Sequence, residues 1–370
     1  MKLIYITSKK FPSRKTDPFY VQSMAEAFSR LRGEDFLFFM RGNVPDEFKE
    51  IQTSSISTPR RFRVFFYFIA LPILVFVRKW NTKEVAFLSY DPYLLSILIF
   101  WRSIFRFKYI ICSDWHQMFD DWRDSYVSKH SDYLITTSKR LKGLISSACN
   151  IDPEKILVAY GGVNPAPFIE QSKEDKEGRR VRLGLPTDTF LVGYVGAFRS
   201  IGTMEKGLDT MIQALPYVEG PIRMVFVGGS KQQIDEYKKL ASSIGVLGKC
   251  IFVEKQPFKN VIAYELSMDV LVIPYPDKHH FREYGFPMKV WEYMASGRSI
   301  VYSNLEIIKE VLGGRGTSFQ PDNLQSLARS ILTVYQNFSS AEDIACENPK
   351  AISAYTWEAR AKSIVSFIEK

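Results

Sequence analysis

The feature that most constrains the fold is a repeated alternation of short apolar runs with longer segments of helical periodicity. Each run has the length of a buried strand, and each intervening segment is long enough for a crossover helix. Because parallel strands need such crossovers, the alternation predicts parallel sheets wrapped by helices. The strand candidates of the first half are Leu3–Thr7, Asp35–Met40, Val85–Ser89, Tyr109–Cys112, Tyr133–Thr137 and Ile156–Ala159.

The alternation occurs twice, on either side of a polar segment. Residues 170–182 are charged and predict a surface linker. The second series of strand candidates comprises Phe190–Val195, Arg223–Val227, Ile251–Val253, Val270–Tyr275 and Ser299–Tyr302. The 370 residues also exceed the size at which a single core stops growing. We predict an α/β chain of two Rossmann-like, doubly wound domains, residues 1–165 and 183–354, with a last helix at about 355–370 returning to the first.

Positive charge is concentrated in the first half of the chain. Up to Pro165 there are 24 Lys and Arg against 16 Asp and Glu, whereas the remainder has 25 against 24. A basic half beside a nearly neutral half predicts that only the first meets an anionic partner. Such a partner would be a phospholipid bilayer, a lipid pyrophosphate or a nucleic acid.

Cysteine usage and the apolar runs favour a cytoplasmic location. The four cysteines are far apart and show neither a disulfide framework nor Cys-x-x-Cys spacing. The amino-terminal apolar run is too short for a signal peptide and is followed at once by Lys9 and Lys10. The longest apolar run, Val64–Val77, contains Pro72 and is shorter than the roughly 20 residues of a membrane-spanning helix. We therefore predict no transmembrane segment.

Basic residues flank the run Val64–Val77, and this arrangement has two interpretations. A helix with basic flanks fits a segment that lies in the headgroup region of anionic lipids. A helix that is apolar all round is equally typical of a buried core. The flanking cations are Arg60, Arg61 and Arg63 before the run and Arg78 and Lys79 after it. Our hypothesis is that the first domain docks on an anionic bilayer, with Tyr93–Phe105 enlarging the same surface.

The most distinctive stretch runs from Glu283 to Arg298 and contains Gly-Phe-Pro followed by a helical pattern. It predicts Pro287 at the first helical position, where its missing N–H costs nothing, and Gly297 directly after the last turn. A helix N-terminus beside Gly285 would offer free N–H groups and a partial positive charge to a phosphate. The alternative for this stretch alone is a capped surface helix without a ligand.

Further segments occur in a fixed order along the chain together with this helix. They are Tyr160–Asn164, Val195–Arg199, Lys206–Asp209, Phe226–Gly229 and Met268–Pro274. With the Gly-Phe-Pro helix, they make the chain resemble, over essentially its whole length, the family 4 glycosyltransferases, which are retaining enzymes of the GT-B fold. The resemblance implies two Rossmann-like domains facing across a cleft. It also implies that the second domain holds a nucleoside-diphosphate sugar.

The resemblance implies roles for individual residues of the second half. Glu292 would bind the ribose hydroxyls of the donor, and Arg199 and Lys206 would hold its diphosphate. The first glutamate of the family falls in register with Tyr284, but a one-residue bulge would bring Glu283 to the sugar instead. The remaining nucleotide-binding positions implied are Gly285, Phe286, Pro287, Met288 and Lys289.

In the first half, Asp114-Trp115-His116 follows a predicted strand. This segment resembles the family's histidine at the cleft, which implies that His116 contacts the transferred sugar. Taken alone, a single histidine is more often a structural residue. Asp120, Asp121 and Asp124 would be an acceptor base or a solvated helix start, and we prefer the helix start.

The resemblance implies that the chemistry is hexosyl transfer with retention at the anomeric carbon. Departure of a nucleoside diphosphate leaves negative charge that fixed cations and a helix N-terminus can stabilise. No Asp-x-Asp occurs in the chain, and the basic pair can replace a metal, so we predict neither a metal nor a further cofactor. The predicted acceptor is a lipid-linked or cell-envelope glycan.

Two other functions fit parts of the sequence. A sugar-nucleotide epimerase has the same architecture and ribose contact, and it would consume the donor without any acceptor. A basic nucleic-acid-binding protein would explain the charge. However, the chain has no recognisable reader motif and its aromatic residues follow core-like patterns, so we predict no nucleic-acid partner.

Overall fold

The computed structural model describes residues 1–11, 16–48, 50–56, 63–200 and 204–370. They form two compact units, residues 1–162 with 357–370 and residues 163–356. Among the predicted membrane-flanking cations, Arg60 and Arg61 lie outside the described residues. The described parts of both units are built on parallel sheets, as the alternation predicts.

The strands of the first unit are β1 (Lys2–Phe11), β2 (Phe36–Gly42), β3 (Thr53–Ile56), β4 (Val85–Ser89), β5 (Ile110–Trp115), β6 (Tyr133–Thr136) and β7 (Ile156–Val158). All pair in parallel, in the order β3-β2-β1-β4-β5-β6-β7. The order reverses between β1 and β4, which makes the sheet doubly wound.

The helices of the first unit are α1 (Thr16–Arg32), α2 (Arg63–Val77), α3 (Pro92–Phe105), α4 (Trp122–His130), α5 (Lys139–Cys149) and, last in the chain, α17 (Trp357–Ile368). Side-chain caps fix several starts; Asp91, for example, accepts a hydrogen bond from the N–H of Tyr93 at the start of α3. Helix α17 packs on α1, where Trp357 contacts the ring of Tyr20 at 5.5 Å. No helix in the described ranges has the length and hydrophobicity to cross a bilayer.

The main strands of the second unit are β8 (Phe190–Val195), β11 (Ile222–Gly229), β12 (Cys250–Glu254), β13 (Val270–Ile273), β14 (Ser299–Ser303) and β15 (Thr317–Phe319). Their order is β12-β11-β8-β13-β14-β15, so the second sheet is also doubly wound and reverses between β8 and β13. Two short strands, β9 (Arg199–Ser200) and β10 (Met204–Glu205), form a separate antiparallel pair.

The helices of the second unit are α6 (Ala166–Gln171), α7 (Lys176–Arg182), α8 (Leu208–Ala214), α9 (Lys231–Ser243), α10 (Phe258–Ser267), α11 (His279–Glu283), α12 (Lys289–Ser296), α13 (Glu306–Leu312), α14 (Leu324–Gln336), α15 (Phe338–Cys346) and α16 (Asn348–Ala351). Buried side chains of β8, β11, α8 and α14 build a core on one side of the sheet. In doubly wound sheets, ligands bind at the carboxyl ends of the strands near the reversal point, here the ends of β8 and β13.

The predicted surface linker at residues 170–182 is wrong. This segment contains α7, and its Arg179 and Arg180 are buried. Arg180 binds the carboxylate of Asp269 at 2.6 Å, and Arg179 donates to the carbonyl oxygen of Leu266 at 3.1 Å. Burial is possible because each guanidinium finds oxygen partners far away in the chain, and local composition cannot reveal such partners.

Candidate functional site

Glycines at the end of β8 allow unusually close packing. A side chain at Gly196 would bring its Cβ to 2.8 Å from Cε of Lys289. A Cβ at Gly228, which follows β11 residue Val227, would overlap the carbonyl oxygen of Gly196. The turn after β8 therefore has room for the side chain of Lys289 only because residue 196 is a glycine and carries no side chain.

A third glycine, Gly207, places Lys206 at the end of β13. Gly207 precedes α8 with φ at 84°, and a Cβ there would overlap the carbonyl oxygen of Pro274. This contact brings the half-buried side chain of Lys206 beside Tyr275, with Nζ 6.0 Å from the ring centroid. Within the described ranges, Lys206 has no ion-pair partner.

Lys289, on the first turn of α12, lies between two carboxylates. Its Nζ is 2.9 Å from Oε1 of Glu265, a fully buried residue of α10, and it also binds Oε2 of Glu292. Glu292 lies three residues further along α12, so the helix itself aligns the two side chains. Its carboxylate also lies near the positive end of the helix dipole.

The pKa values of this cluster reflect burial and mutual charge. Burial lowers the pKa of Lys206 to about 8, and Lys289 acts in the same direction while Glu292 opposes it. Burial raises the pKa of Glu265 to about 8 despite the opposing charge of Lys289. Burial alone would lower the pKa of Lys289, but Glu265 and Glu292 outweigh it and raise that pKa. Among the described residues, the burial of the Lys206 ammonium is therefore opposed only by the charge of Glu292 and not by an ion pair.

The start of α12 differs from the prediction by two residues. The helix begins at Lys289 with Met288 as its N-cap, so Pro287 is not the first helical residue. Instead, Pro287 opens a tight turn before the helix, in which the N–H of Val290 donates to the carbonyl of Pro287 at 3.0 Å. In the part of the chain described, the N–H groups of Met288 and Lys289 have no backbone acceptor. The helix still presents free donors, and it ends before Gly297 as predicted.

The ring of Phe286 is packed inward. It stacks on Trp291 at 5.0 Å between centroids, and Trp291 stacks on Tyr355 at 4.4 Å. This stack fixes the turn at Gly285 against α12. The N–H of Phe286 also donates to the carbonyl oxygen of Tyr284 at 2.8 Å, so both its ring and its N–H are engaged within the protein.

Glu283 and Tyr284, the two candidates for the first glutamate of the resemblance, are both buried. Oε1 of Glu283 lies 3.3 Å from Nε of Arg282. The hydroxyl of Tyr284 lies 3.0 Å from Nε2 of His279. Since α11 ends at Glu283, the two side chains leave the backbone at the junction between helix and turn.

Arg199 lies in a different set of contacts from Lys206. Its guanidinium binds Glu205 at 2.6 Å and Glu236 at 2.7 Å, and Glu205 in turn accepts a hydrogen bond from Tyr237. Residues 201–203 of the intervening loop lie outside the described residues. The cation that acts electrostatically on Lys206 is Lys289. The structure thus groups Lys206, Lys289 and Glu292, whereas Arg199 joins β9 to β10 and α9.

In the first unit, Asp114 at the end of β5 is buried in a polar network. It accepts two hydrogen bonds from Arg360 of α17, at 2.7 and 2.8 Å, and one from the hydroxyl of Tyr20 at 2.6 Å. Burial alone would raise the pKa of Asp114, but the charge of Arg360 and the contacts of His116 and Tyr20 lower it. Asp114 is therefore an ionised structural anchor.

His116 borders this network. Its Nε2 lies 3.4 Å from Oδ2 of Asp114, and its ring meets that of Tyr20 edge-on at 4.4 Å between centroids. Asp121 is the N-cap of α4, as the helix-start interpretation predicts, whereas Asp124 is buried rather than solvated and accepts from the N–H of Phe119. Among described side chains, no cluster of three or more potential metal ligands occurs.

Sequence patterns did not identify Tyr20, Arg360 or Glu265. Arg360 lies 246 residues from Asp114 in the chain, and Glu265 lies 24 residues from Lys289. Each sits in an ordinary amphipathic helix pattern, so only the folded chain reveals its partner. The family resemblance of the Gly-Phe-Pro helix had already singled out Glu292 and Lys289, and a spacing of three residues keeps them on one helix face.

Comparisons with known proteins agree with this architecture. Residues 189–337 match the family described as Glycosyl transferases group 1. The structure of HepE from Anabaena in complex with UDP superposes with a TM-score of 0.77 at 15% identity, covering 100% of both chains. The fold is GT-B.

Two curated relatives are similar to this GT-B chain in sequence. An uncharacterized glycosyltransferase of Methanocaldococcus jannaschii is 29% identical over 65% of the chain and 61% of its own length. The O-antigen chain mannosyltransferase RfbU of Salmonella typhimurium is 22% identical over 56% of the chain and 52% of its own length. The chain therefore matches less than two thirds of either relative. Family match, relatives and GT-B fold together support a glycosyltransferase.

Proposed function

We propose that this chain is a retaining glycosyltransferase that moves a hexose-type sugar from a nucleoside-diphosphate sugar to a lipid-linked or cell-envelope glycan. One observation carries the proposal. Lys206 is a half-buried ammonium without an ion-pair partner in the described ranges, at the strand ends where doubly wound sheets bind ligands. A diphosphate would supply the missing negative charge.

The donor site combines Lys206 with the first turn of α12. The ammonium of Lys206 and the free N–H groups of Met288 and Lys289 donate hydrogen bonds to the diphosphate. Glu292 accepts hydrogen bonds from the ribose hydroxyls, and Lys289 holds its carboxylate in place. Gly285, Phe286 and Pro287 form the turn before α12. The N–H groups of Gly285 and Phe286 donate within the protein and Pro287 has none, so this turn offers carbonyl oxygens to the sugar hydroxyls.

In the reaction, the bond between the anomeric carbon and the diphosphate oxygen breaks. The acceptor hydroxyl attacks from the same face, and its proton passes to an oxygen of the departing phosphate. The products are the new glycoside, with retained configuration, and the protonated nucleoside diphosphate. Lys206 and the α12 N-terminus stabilise the negative charge that develops on the leaving group. No metal ion takes part in this scheme.

Three further residues complete the proposed catalytic set. Glu283 contacts the transferred sugar from the turn before α12, with Tyr284 as the alternative at that position. Arg199 supports the diphosphate through the β9 and β10 pair that it anchors by ion pairs with Glu205 and Glu236. His116 of the first unit is the proposed histidine contact to the sugar, held at its angle by Tyr20 and Asp114.

The names of similar proteins guide the choice of donor and acceptor. HepE was solved with UDP, which makes UDP-sugars the first donors to test. RfbU is named for an O-antigen chain, a glycan of the cell envelope. We propose that the present chain also works on an envelope glycan, at the cytoplasmic side of the membrane and peripheral to it.

The proposal is tested by thermal shift with UDP-, GDP- and ADP-sugars, followed by transfer assays with the stabilising donor. A ligand that binds only the folded state raises its apparent stability. Lys206→Ala should lower turnover by on the order of 100-fold, as expected for one lost group that stabilises developing charge. Lys239→Ala, at an exposed lysine of α9, is the matched control.

Near-normal transfer by Lys206→Ala would contradict the assignment of the donor site. Donor consumption without any acceptor product would instead favour epimerase or hydrolase chemistry in the same fold. Unchanged turnover after chelation of divalent metals is expected, because the leaving-group charge is assigned to protein groups alone.

A further inference from the structure

A basic cavity opens at the carboxyl end of α3 in the first unit. Its volume is about 530 Å³. Lys83, Arg102, Arg106 and Lys108 line it, and Asp132 is the one acidic group among the described lining residues. None of these residues belongs to the proposed donor site or to the Asp114 network.

The charges of this cavity are unequally compensated. Arg102 binds Asp132 and also donates to the carbonyl oxygen of Tyr109 at 3.4 Å, so the single carboxylate is already neutralised. In the part of the chain that the structure describes, Lys83, Arg106 and Lys108 have no ion-pair partner. The three side chains are exposed. The cavity therefore has an excess of positive charge and suits an anionic group such as a phosphate.

An exposed apolar face on α2 lies next to this cavity. Ile73, Phe76 and Val77 are 54%, 55% and 70% exposed, although apolar side chains of this size normally pack inside. Earlier turns of α2 extend the face with Phe65, Phe66 and Ile69. A contiguous apolar surface of this kind marks an interaction site rather than scattered surface residues.

Aromatic contacts connect this face to the cavity. Phe76 of α2 meets Phe105 of α3 at 5.4 Å between ring centroids, and Phe105 lies 5.2 Å from Phe107, which lines the cavity. The indole N–H of Trp101 donates to the carbonyl of Phe68 at 2.8 Å and ties the two helices together. The apolar face and the cations thus form one continuous surface at the ends of α2 and α3.

We propose that this surface docks on an anionic phospholipid bilayer and that the cavity binds a headgroup phosphate. The exposed side chains of α2 and α3 enter the boundary between headgroups and acyl chains, as in interfacial helices. Lys83, Arg106 and Lys108 then reach the phosphates, and the exposed Arg78 and Lys79 after α2 add to the attraction. A bilayer is favoured as occupant because it alone presents a wide apolar layer directly beneath a dense anionic one.

This inference deepens the proposed function by naming how the chain reaches a membrane-borne acceptor. Only the purpose of the docking, delivery of the enzyme to that acceptor, rests on the proposed function. The binding itself needs neither donor nor transfer. Vesicle flotation and transfer to a soluble acceptor therefore fail independently. A chain that transfers sugar but does not float would overturn only the docking, and a chain that floats but does not transfer would overturn only the enzymatic proposal.

The test is flotation of the full chain with vesicles of phosphatidylcholine alone or mixed with phosphatidylglycerol. We expect binding to the anionic vesicles and at least about tenfold weaker binding after Lys83→Glu with Lys108→Glu, since each cation near the surface contributes on the order of 1 kcal/mol. The matched control is Lys238→Glu with Lys239→Glu, which makes the same charge change on exposed positions of α9.

A second pair of variants tests the apolar face. Ile73→Ser with Val77→Ser should also weaken binding, whereas Ile244→Ser with Ile344→Ser, at exposed positions of the second unit, should not. Circular dichroism confirms that each variant folds. Equal binding to both vesicle types would overturn the proposal, and so would equal loss from the α9 control. If inorganic phosphate stabilises the wild-type protein but not the variant with Lys83→Glu and Lys108→Glu, and the wild-type protein does not bind vesicles, the cavity is a site for free phosphate and the docking proposal is overturned.

Discussion

The guanidinium of Arg360 donates two hydrogen bonds to the carboxylate of Asp114, and both residues are almost completely buried. This pair ties α17, the last helix, to the end of β5 in the first unit. Replacing one member of a buried, hydrogen-bonded ion pair leaves the other charge without compensation, at a cost of about 3–5 kcal/mol. The pair is therefore expected to control the stability of the first unit.

Arg360→Met tests this expectation. The free energy of unfolding, measured by urea denaturation, should fall by about 3–5 kcal/mol because Asp114 keeps its buried charge. Arg30→Ala removes an exposed ion pair with Glu358, which joins α1 to the same helix α17, and should cost less than about 1 kcal/mol. Equal losses from the two variants would show that Asp114 does not depend on Arg360.

Donor affinity should depend on pH through Lys206, whose pKa burial lowers to about 8. The ammonium is present below that pH and is lost above it. The affinity for a nucleoside diphosphate should therefore fall as pH rises through about 8, by at most about tenfold per pH unit for one proton. Calorimetric titration from pH 7 to pH 10 measures the effect.

Lys206→Arg is the control for the pH profile, because a guanidinium stays charged throughout this range. Its affinity should be nearly independent of pH. Glu265, whose pKa burial raises to about 8, titrates in the same range, so Glu265→Gln serves as a second control and should keep the wild-type profile. A flat wild-type profile would remove Lys206 from the diphosphate site.

Gly207→Ala should disturb both stability and donor binding. The position has φ at 84° and no room for a Cβ beside the carbonyl oxygen of Pro274. Backbone strain and overpacking together should cost roughly 1–3 kcal/mol in the free energy of unfolding. Gly248→Ala, in a site with open space, should be close to neutral. A neutral Gly207→Ala would mean that the contact with Pro274 does not fix Lys206.

Removing the side chain of Arg199 and removing that of Lys206 should have different effects on the melting temperature. Arg199→Ala leaves Glu205 and Glu236 without their cation, so we expect a lower melting temperature together with a loss of turnover. Lys206→Ala removes a half-buried ammonium that has no described ion pair, so the melting temperature should hold while turnover falls. Unchanged turnover by Arg199→Ala at a temperature where it remains folded would remove Arg199 from the catalytic set.

The central strands of both sheets were predictable because each is a short apolar run buried on both faces. Within the two parallel sheets, the described strands that the sequence did not predict are β3 and β15, and both are edge strands. Their sequences, Thr-Ser-Ser-Ile and Thr-Ser-Phe, are short and polar. Edge strands contact a neighbour on one side only, so their residues need not carry the apolar pattern that identifies a strand.

The candidate site was predictable only where its residues lie close together in the sequence. Lys289 and Glu292 share a helix face, and Gly207 follows Lys206 directly, so sequence pattern and resemblance could place them together. Glu265 could not be placed, because the contact that matters comes from another helix. The fold must exist before a buried carboxylate and a cation from distant segments become neighbours.

The first unit is interrupted in sequence by the whole of the second, and α17 completes it. During synthesis, residues 163–356 leave the ribosome before residues 357–370 do. The second unit can thus acquire its final structure while Asp114 still lacks its ion-pair partner Arg360. Folding of the first unit is consequently expected to finish only once residues 357–370 have emerged, and a ribosome stalled before residue 357 should expose an unfinished first domain to chaperones and proteases.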